Sequence, residues 1–160
     1  MSNNYLPTDY QAFIHTSRYA RWLEDENRRE TWPETVSRYM ENIVKPIVIT
    51  KSEYKIIEDS ILNLSVMPSM RALMTAGAAL NRDNTAGYNC SYLPVDDPKA
   101  FDEAMYILLC GTGVGFSVER QYIQNLPEVP ELSESETTVV VKDSKEGWAK
   151  GLRQVLALLW

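Results

Sequence analysis

The chain has 160 residues, 44% of them hydrophobic and 24% charged, which is the composition of an ordinary globular protein. Acidic residues outnumber basic ones by 22 to 16, so the formal net charge of −6 gives no electrostatic reason to bind nucleic acid. No apolar run approaches the roughly 18 residues that would span a bilayer. The N-terminus lacks the basic start and apolar core of a signal peptide, and the sequence therefore predicts a cytoplasmic protein without a membrane partner.

The few cysteine and histidine residues limit the chemistry that this chain can perform. Cys90 and Cys110 are the two cysteines, which excludes a disulfide framework and a four-thiolate zinc site. His15 is the single histidine, so a histidine-based metal centre has too few ligands. The sequence predicts no metal site, and any redox chemistry must use the thiols or a bound cofactor.

Helical patterns dominate the first part of the chain. Apolar and aromatic residues at helical spacing predict an amphipathic helix over 10–24. Thr31 and Glu34 have the spacing of a capping box, which predicts a second helix over 32–44. Ser52 is the predicted N-cap of a third helix, whose apolar positions share one face.

The pattern changes in the middle of the chain. Residues 67–87 carry short apolar bursts separated by Gly, Asn and Asp, which predicts turns leading into a strand over 88–93. Asp97 precedes Pro98, a good pair for an N-cap and a first turn, and the apolar stripe that follows predicts a helix ending near Cys110.

The last part predicts two strands, a loop and a helix. The segment 114–119 reads as a buried strand, 127–136 as an acidic, proline-broken surface loop, and the β-branched run 137–141 as another strand. Asp143 is the predicted N-cap of a final helix with one apolar face, made of Trp148, Leu152, Val155 and Leu159.

Three glycines, Gly111, Gly113 and Gly115, stand two apart between the predicted helix and strand. Dinucleotide fingerprints and P-loops place such glycines between a strand and a following helix, and here the order is reversed and no lysine follows. Two interpretations stay open on these residues. In the first, Gly111 ends the helix, and Gly113 and Gly115 let the chain enter a crowded strand. In the second, the backbone without side chains accommodates a flat ligand such as a nucleoside.

Cys90 is the candidate for a reactive group. It lies on a predicted strand beside Asn89, whose amide can both donate a hydrogen bond to a sugar hydroxyl and accept one. A single cysteine is more commonly a small buried hydrophobic residue, and that interpretation fits Cys110 better, at the end of an apolar helix. We do not predict Cys110 to be reactive.

Five segments in order carry a family resemblance that covers most of the chain. Together they resemble the N-terminal part of the adenosylcobalamin-dependent (class II) ribonucleotide reductases, most of all the monomeric ribonucleoside-triphosphate reductases. The resemblance implies an α/β fold, with a helical N-terminal region over 1–66 and the first strands and helices of a ten-stranded α/β barrel over 67–160. The segments are RYARWLEDENRRETWPETV, MPSMRALMTAG, NCSYLPVDD, GTGVGFSVE and DSKEGWAKGL.

The resemblance also implies a site. In the family, a cysteine at the position of Cys90 donates reducing equivalents to the 2′ carbon of the substrate, together with a second cysteine on a later strand. By motif position, Asn89 and Gly113 would contact the substrate nucleotide. Many relatives have Ser or Thr where this chain has Met67, so substrate contact there would come from backbone amides or from Ser69.

Cofactor and partners follow from the resemblance as well. Adenosylcobalamin would supply the radical, and its site, the radical-bearing cysteine, the second redox cysteine and the C-terminal thiol shuttle lie later in the family. The implied partners are a ribonucleotide, with the triphosphate favoured over the diphosphate, a thioredoxin-like reductant and the remaining C-terminal part of the barrel. Asp97 lies where relatives contact a deoxynucleotide effector, although we favour its role as a helix cap. The ATP-binding cone of many reductases is not evident.

We therefore expect a fragment: a truncated chain, a split-gene subunit or an intein-interrupted half. Two alternatives remain. A noncatalytic nucleotide-binding or regulatory module derived from the same barrel would bind nucleotide without depending on Cys90. An α/β assembly piece whose glycines serve only packing would bind no nucleotide in any context.

Overall fold

The computed structural model describes residues 5–48 and 50–160, which belong to two compact units. The first unit ends at Gly87 and the second begins at Tyr88. Both helices and strands are present, so the predicted mixture of helix and sheet is confirmed. The domain boundary after residue 66 stays a prediction. Within the described ranges, no helix has both the length and the apolar character needed to cross a membrane.

The first unit is mainly helical. The helices α1 and α2 each continue into one π-helical segment, and a short antiparallel hairpin of β1 and β2 lies between them. The elements are α1 (Asp9–Ile14, then His15–Tyr19), β1 (Trp22–Leu23), β2 (Arg28–Arg29), α2 (Trp32–Tyr39, then Met40–Val44), α3 (Lys51–Leu62), α4 (Met70–Thr75), α5 (Ala78–Arg82) and a 3-10 turn (Asn84–Gly87).

Capping boxes set the starts of α2 and α3. The predicted box at α2 is confirmed, since the Glu34 carboxylate accepts a hydrogen bond from Thr31 N at 2.6 Å. The predicted cap Ser52 is wrong, because Thr50 caps α3: its Oγ1 accepts from Glu53 N at 3.2 Å. The Glu53 carboxylate accepts in turn from Thr50 N, so this spacing satisfies two free backbone donors together.

Two other predictions in this unit were wrong. The helical conformation predicted over 10–24 stops at Tyr19, and the chain turns through a hairpin whose loop residue Asn27 has a left-handed φ of 50°. The polar run between β1 and β2 favours a turn over a helix. The segment 67–87 was predicted as turns but contains the helices α4 and α5, because good helix formers stand on both sides of Gly77.

The first unit has a closed apolar core beside a buried polar network. The Glu30 carboxylate accepts from Arg38 Nε at 2.8 Å and from Thr35 Oγ1 at 3.0 Å, and Thr35 Oγ1 lies 2.9 Å from His15 Nε2. These polar groups are buried but hydrogen-bonded, which is the condition for burying them without a large cost. The core side chains are Trp32, Val36, Met40, Val44, Ile61 and Leu73.

The second unit contains a parallel pair of strands joined by a helix. Strands β3 and β4 pair in parallel, as expected when a helix connects them, and α6 packs against α8. A small buried cluster of Leu93, Val95 and Ala100 lies beside the sheet. The elements are β3 (Cys90–Pro94), α6 (Lys99–Leu109), β4 (Gly113–Ser117), α7 (Arg120–Ile123) and α8 (Lys145–Leu159).

The segment 137–141 does not form the predicted strand. High β-propensity forms a strand only beside a partner strand, and β3 and β4 pair with each other. Instead the end of the segment lies close to α8, where a Cβ added at Gly151 would stand 2.6 Å from Val141 Cγ2. The predicted loop 127–136 is confirmed as an exposed segment without regular structure.

Helix α8 differs from its prediction in cap and in buried face. Ser144, not Asp143, is the N-cap, since its Oγ accepts from Gly147 N at 3.0 Å. The predicted apolar face is largely exposed, with Trp148 at 50%. Small residues such as Ala149 are buried instead, because they allow α8 to pack closely on neighbouring backbone.

Candidate functional site

The pairing of β3 with β4 brings three predicted site residues together. Cys90 begins β3 and lies directly opposite Gly113, the first residue of β4. Gly113 N donates a hydrogen bond to the carbonyl oxygen of Asn89 at 2.9 Å. Both Asn89 and Cys90 are exposed. A thiol, a side-chain amide and a bare backbone position are therefore adjacent on the open end of the strand pair.

The alternation of side chains decides what shares a face with Cys90. Leu93 is buried in the apolar cluster, and the side chains one residue before and after it lie on the opposite face. Cys90 and Tyr92 are on that opposite, solvent-exposed face, and their partners in β4 are Gly113 and Gly115. The exposed face thus presents a thiol and a phenol beside two positions without side chains.

Backbone conformation explains the glycine at position 111 but not those at positions 113 and 115. Gly111 has a φ of 85°, which is the left-handed conformation of a residue just past a helix end, and this confirms the predicted role. A Cβ added at Gly113 would lie 3.5 Å from the Asn89 oxygen, and one at Gly115 would lie 3.6 Å from the Ser91 oxygen. Both are ordinary contacts, so crowding by the described residues does not explain these two glycines.

Hydrogen bonds from two hydroxyl side chains hold this end of the sheet in place. Thr112 is buried, and its Oγ1 donates to the Tyr88 carbonyl oxygen at 2.9 Å. Ser91 Oγ donates to the Gly113 carbonyl oxygen at 3.1 Å. The backbone on both sides of the Cys90–Gly113 pair is therefore anchored, which gives the exposed thiol a defined position.

Tyr92 lies on the same face as Cys90, opposite Gly115, and the sequence analysis did not single it out. A hydrogen bond with Ser117 lowers the pKa of Tyr92, but desolvation and the neighbouring Tyr122 and Glu119 raise it, and the net shift is upward. The phenol is therefore protonated at neutral pH, and its hydroxyl is already hydrogen-bonded with Ser117 and Tyr122. The two-residue period of the predicted strand was the available signal, because it places position 92 on the same face as position 90.

The two thiols have different surroundings. Both are free, and Cys90 is exposed. Cys110 is half-buried at the end of α6, where Lys145 Nζ approaches its sulfur to 3.2 Å. Cys110 is therefore not sealed in an apolar core as a purely hydrophobic residue would be.

The remaining predicted site residues lie elsewhere. The predicted N-cap Asp97 is one residue too early, because Pro98 is the N-cap of α6, although the Asp97 carboxylate still accepts from Lys99 N at 2.8 Å. The effector role of Asp97 stays a prediction. Met67 and Ser69 belong to the first unit, where both are exposed and Ser69 is the N-cap of α4. Their contact with substrate also stays a prediction.

The described residues include no group of three or more His, Cys, Asp or Glu side chains that could hold a metal ion. His15 is 4% exposed and engaged with Thr35, so it is not available as a ligand.

Sequence comparison identifies reductases as relatives. The chain is 30% identical, over 84% of its length, to the adenosylcobalamin-dependent ribonucleoside-triphosphate reductase of Lacticaseibacillus paracasei. It is 28% identical over 82% to the protein of that name from Levilactobacillus brevis, and 26% identical over 69% to the one from Lactobacillus leichmannii. The chain spans about a fifth of the length of these relatives, between 20% and 22%. No family model matches the chain.

Structural comparison agrees on the fold. The crystal structure of a B12-dependent (class II) ribonucleotide reductase matches with a TM-score of 0.76, over 93% of this chain and 30% of that one, at 20% sequence identity. The structural match shows the fold, and the 30% identity over 84% of the chain shows that it belongs to the family of the adenosylcobalamin-dependent ribonucleoside-triphosphate reductases.

Proposed function

We propose that this chain forms part of the substrate site of a class II ribonucleotide reductase and supplies one of its two redox thiols, Cys90. The observation that carries this proposal is the exposed thiol directly opposite Gly113, on a face where two glycines leave the backbone bare. A ribose can approach such a backbone closely, because no Cβ stands between it and the sulfur.

The thiol chemistry balances with two cysteines. Cys90 and a second thiol together give two electrons and two protons to the 2′ position of the ribose. The carbon–oxygen bond at C2′ breaks, the oxygen leaves as water, a carbon–hydrogen bond forms, and the two sulfurs join in a disulfide. Cys90 alone cannot complete this reduction, so the second thiol comes from another part of the enzyme.

Neighbouring groups would bind and orient the nucleotide. The Asn89 amide can hydrogen-bond with a sugar hydroxyl, and the exposed Tyr92 ring lies on the same face as Cys90. The bare backbone at Gly113 would lie against the sugar. Ser69 and the backbone near Met67 are further proposed contacts, which rest on motif position.

The rest of the enzyme supplies what this chain lacks. Since the chain spans about a fifth of its relatives, we propose that β3 and β4 begin a ten-stranded α/β barrel whose remaining strands complete the site. When bound, adenosylcobalamin would supply the radical that starts the reaction. By motif position in the family, we propose that its site lies outside this chain.

The names of the relatives favour a ribonucleoside triphosphate as substrate. A thioredoxin-like protein would reduce the disulfide after each turnover, and a deoxynucleotide effector is proposed to reach Asp97.

The test is Cys90→Ser in the complete enzyme, with the remaining part of the barrel present and a thioredoxin-like reductant. We expect turnover to be abolished, because serine cannot form the disulfide. Cys110→Ser is the matched control: it removes the other thiol and should mainly lower stability. Equal turnover of Cys90→Ser and the parent enzyme would refute the proposal.

The noncatalytic alternative is tested on this chain alone. Titration calorimetry with a ribonucleoside triphosphate would show saturable binding that Cys90→Ser leaves unchanged, while Cys90→Ser in the complete enzyme would leave any activity intact. Loss of turnover in that variant would exclude this alternative.

A further inference from the structure

The segment 136–142, which we call the unpaired segment, has the composition of a strand without being one. Its sequence is ETTVVVK, with five consecutive β-branched residues and neither proline nor glycine. It has no regular secondary structure, and none of the described backbone groups is hydrogen-bonded to the backbone of 138–141. Its main-chain donors and acceptors are therefore open to a partner strand.

Side-chain exposure along the unpaired segment alternates as it does along a strand. Val140 is 85% exposed, whereas Val139 and Val141 are half-buried. Val141 lies close to α8, and Val139 lines an open groove beside that helix together with Leu158, which is 60% exposed. One face of the segment thus lies towards α8, while the other face and part of the groove remain exposed apolar surface.

The strands of this chain do not supply a partner. β1 pairs with β2 and β3 pairs with β4, and within the part of the chain that the structure describes no strand pairs with the unpaired segment. An exposed β-branched run with an open backbone is a typical place for the addition of a strand from another molecule. The missing partner strand therefore lies outside the described residues.

The charges at the two ends of the unpaired segment favour a second copy of the same segment. Glu136 and Lys142 are both exposed. In an antiparallel pair centred on Val139, residue 136 of each copy lies opposite residue 142 of the other, so opposite charges meet at both ends. A parallel pair in register would place like charges opposite each other at both ends, which is destabilising. The segment is thus complementary to itself in one orientation and one register.

We propose that two copies of this chain associate by antiparallel pairing of their unpaired segments, centred on Val139. Main-chain groups of 137–141 then bond across the pair, Val140 lies opposite Thr138 of the second copy, and the two pairs of opposite charges fix the register. The two-fold axis stands perpendicular to the strand pair, so α8 of each copy lies on the same side. This inference does not rest on the proposed reductase activity.

The first test is sedimentation velocity of the chain over about 1–300 μM protein in about 0.1 M salt, which screens the net charge of −6 but not charges in contact. We expect a reversible equilibrium between monomer and dimer with a Kd of about 10–100 μM, because the interface is small. A monomer throughout this range, as expected if the segment pairs only with a different protein or with a later part of a longer chain, would overturn the proposal. Assemblies larger than a dimer would also overturn it, since a two-fold pair closes on itself.

Charge reversals test the register. Glu136→Lys and Lys142→Glu should each weaken self-association about tenfold, because both end pairs then join like charges. An equimolar mixture of the two variants should form a heterodimer about as stable as the parent dimer, since every end pair again joins opposite charges. Glu128→Lys and Lys51→Glu are the matched controls, because each makes the same change in net charge outside the unpaired segment, and both should dimerise like the parent. Undiminished self-association of the two single variants, or no dimer on mixing them, would refute the pairing.

Discussion

The two compact units of this chain differ in how far each one closes its own structure. The first unit buries large side chains such as Trp32 and Met40 together and pairs its buried Glu30 with Arg38. The second unit has two strands only, and large apolar side chains such as Phe116 and Leu158 are exposed. The residues proposed for chemistry, led by Cys90, lie on the more open unit.

The residues that stabilise the first unit are therefore different from the residues proposed for chemistry in the second unit. A parallel pair of two strands normally lies within a larger covered sheet, and here the pair is open on one face. The first unit can be disrupted without touching any proposed catalytic group. Variants of the first unit away from Met67 and Ser69 therefore test folding, and variants of the strand pair test the proposed site.

The largest expected effect is on the first unit, from Arg38→Met. Arg38 pairs with Glu30 and also donates to the carbonyl oxygens of Leu73 and Ala76. Its loss leaves the buried Glu30 carboxylate without a counter-charge, with only Thr35 Oγ1 and Arg21 N as donors, and removes the side-chain donor to both carbonyls. We expect a loss of about 3–5 kcal/mol in the free energy of unfolding, measured by chemical denaturation. Lys45→Met, which breaks an exposed pair with Glu41, is the control and should cost under about 1 kcal/mol.

Hydrogen exchange would assign the Arg38→Met effect to one unit. Amides of the first unit should exchange faster while those of β3 and β4 keep their protection. If amide exchange became faster by the same factor in both units, the two units would unfold together and would not be independent in stability.

The next effect is on the second unit, from Gly147→Ala. A Cβ at Gly147 would overlap the carbonyl oxygen of Lys142, which is backbone and cannot move aside as a side chain could. We expect a destabilisation of about 1–3 kcal/mol by thermal or chemical unfolding, in spite of the better helix propensity of alanine. A substitution that leaves stability unchanged or higher would show that segment 137–142 does not pack on α8 in solution.

Acidification should lower the stability of the first unit. Burial lowers the pKa of His15 below its ordinary value of 6.5, the charge of Glu30 opposes this shift, and Arg38 adds to it. The unfolded chain therefore takes up this proton more readily, and the free energy of unfolding falls as pH drops through about 6.5. Burial would raise the pKa of Glu30, but Arg38 and the Arg21 backbone amide lower it below 4.5, so its contribution is present above about pH 4.5 and lost at lower pH.

The measurement is the free energy of unfolding of the parent and of His15→Gln between about pH 8 and pH 5. Glutamine does not titrate, so the variant should show a flatter profile over this range, even if it is less stable throughout. Parallel profiles for the two proteins would contradict the assignment to His15.

The smallest expected change in stability comes from Gly113→Ala. The added Cβ meets only an ordinary contact, so we expect less than about 1 kcal/mol in either direction. In the complete enzyme, the same variant should reduce turnover strongly, because the methyl group would occupy the place proposed for the sugar. Normal turnover with normal stability would remove Gly113 from the proposed site.

Local signals along the chain were enough for several elements. The capping box of Thr31 and Glu34 located the start of α2, because both hydrogen bonds join residues three apart. Gly111 was predicted as the residue after a helix for an equally local reason, its freedom to adopt positive φ. The strands at 90 and 113 were also predicted to within a few residues.

Predictions from sequence were wrong where the structure depends on contacts between residues far apart in the chain. The β-branched run 137–141 lacks a partner strand and stays irregular, and α8 buries Ala149 instead of the predicted face with Trp148. Tyr92 was missed because its place beside the glycines depends on which strand pairs with β3 and in what register.

The sequence by itself determined the family assignment, the helix starts that depend on caps, and the presence of a candidate thiol near a glycine turn. Only the tertiary structure decided that Cys90 lies opposite Gly113, and that the run 137–141 has no partner strand among the described residues. The physical reason is range: caps and turns depend on atoms three or four residues apart, whereas strand register and burial depend on contacts between residues far apart in the chain.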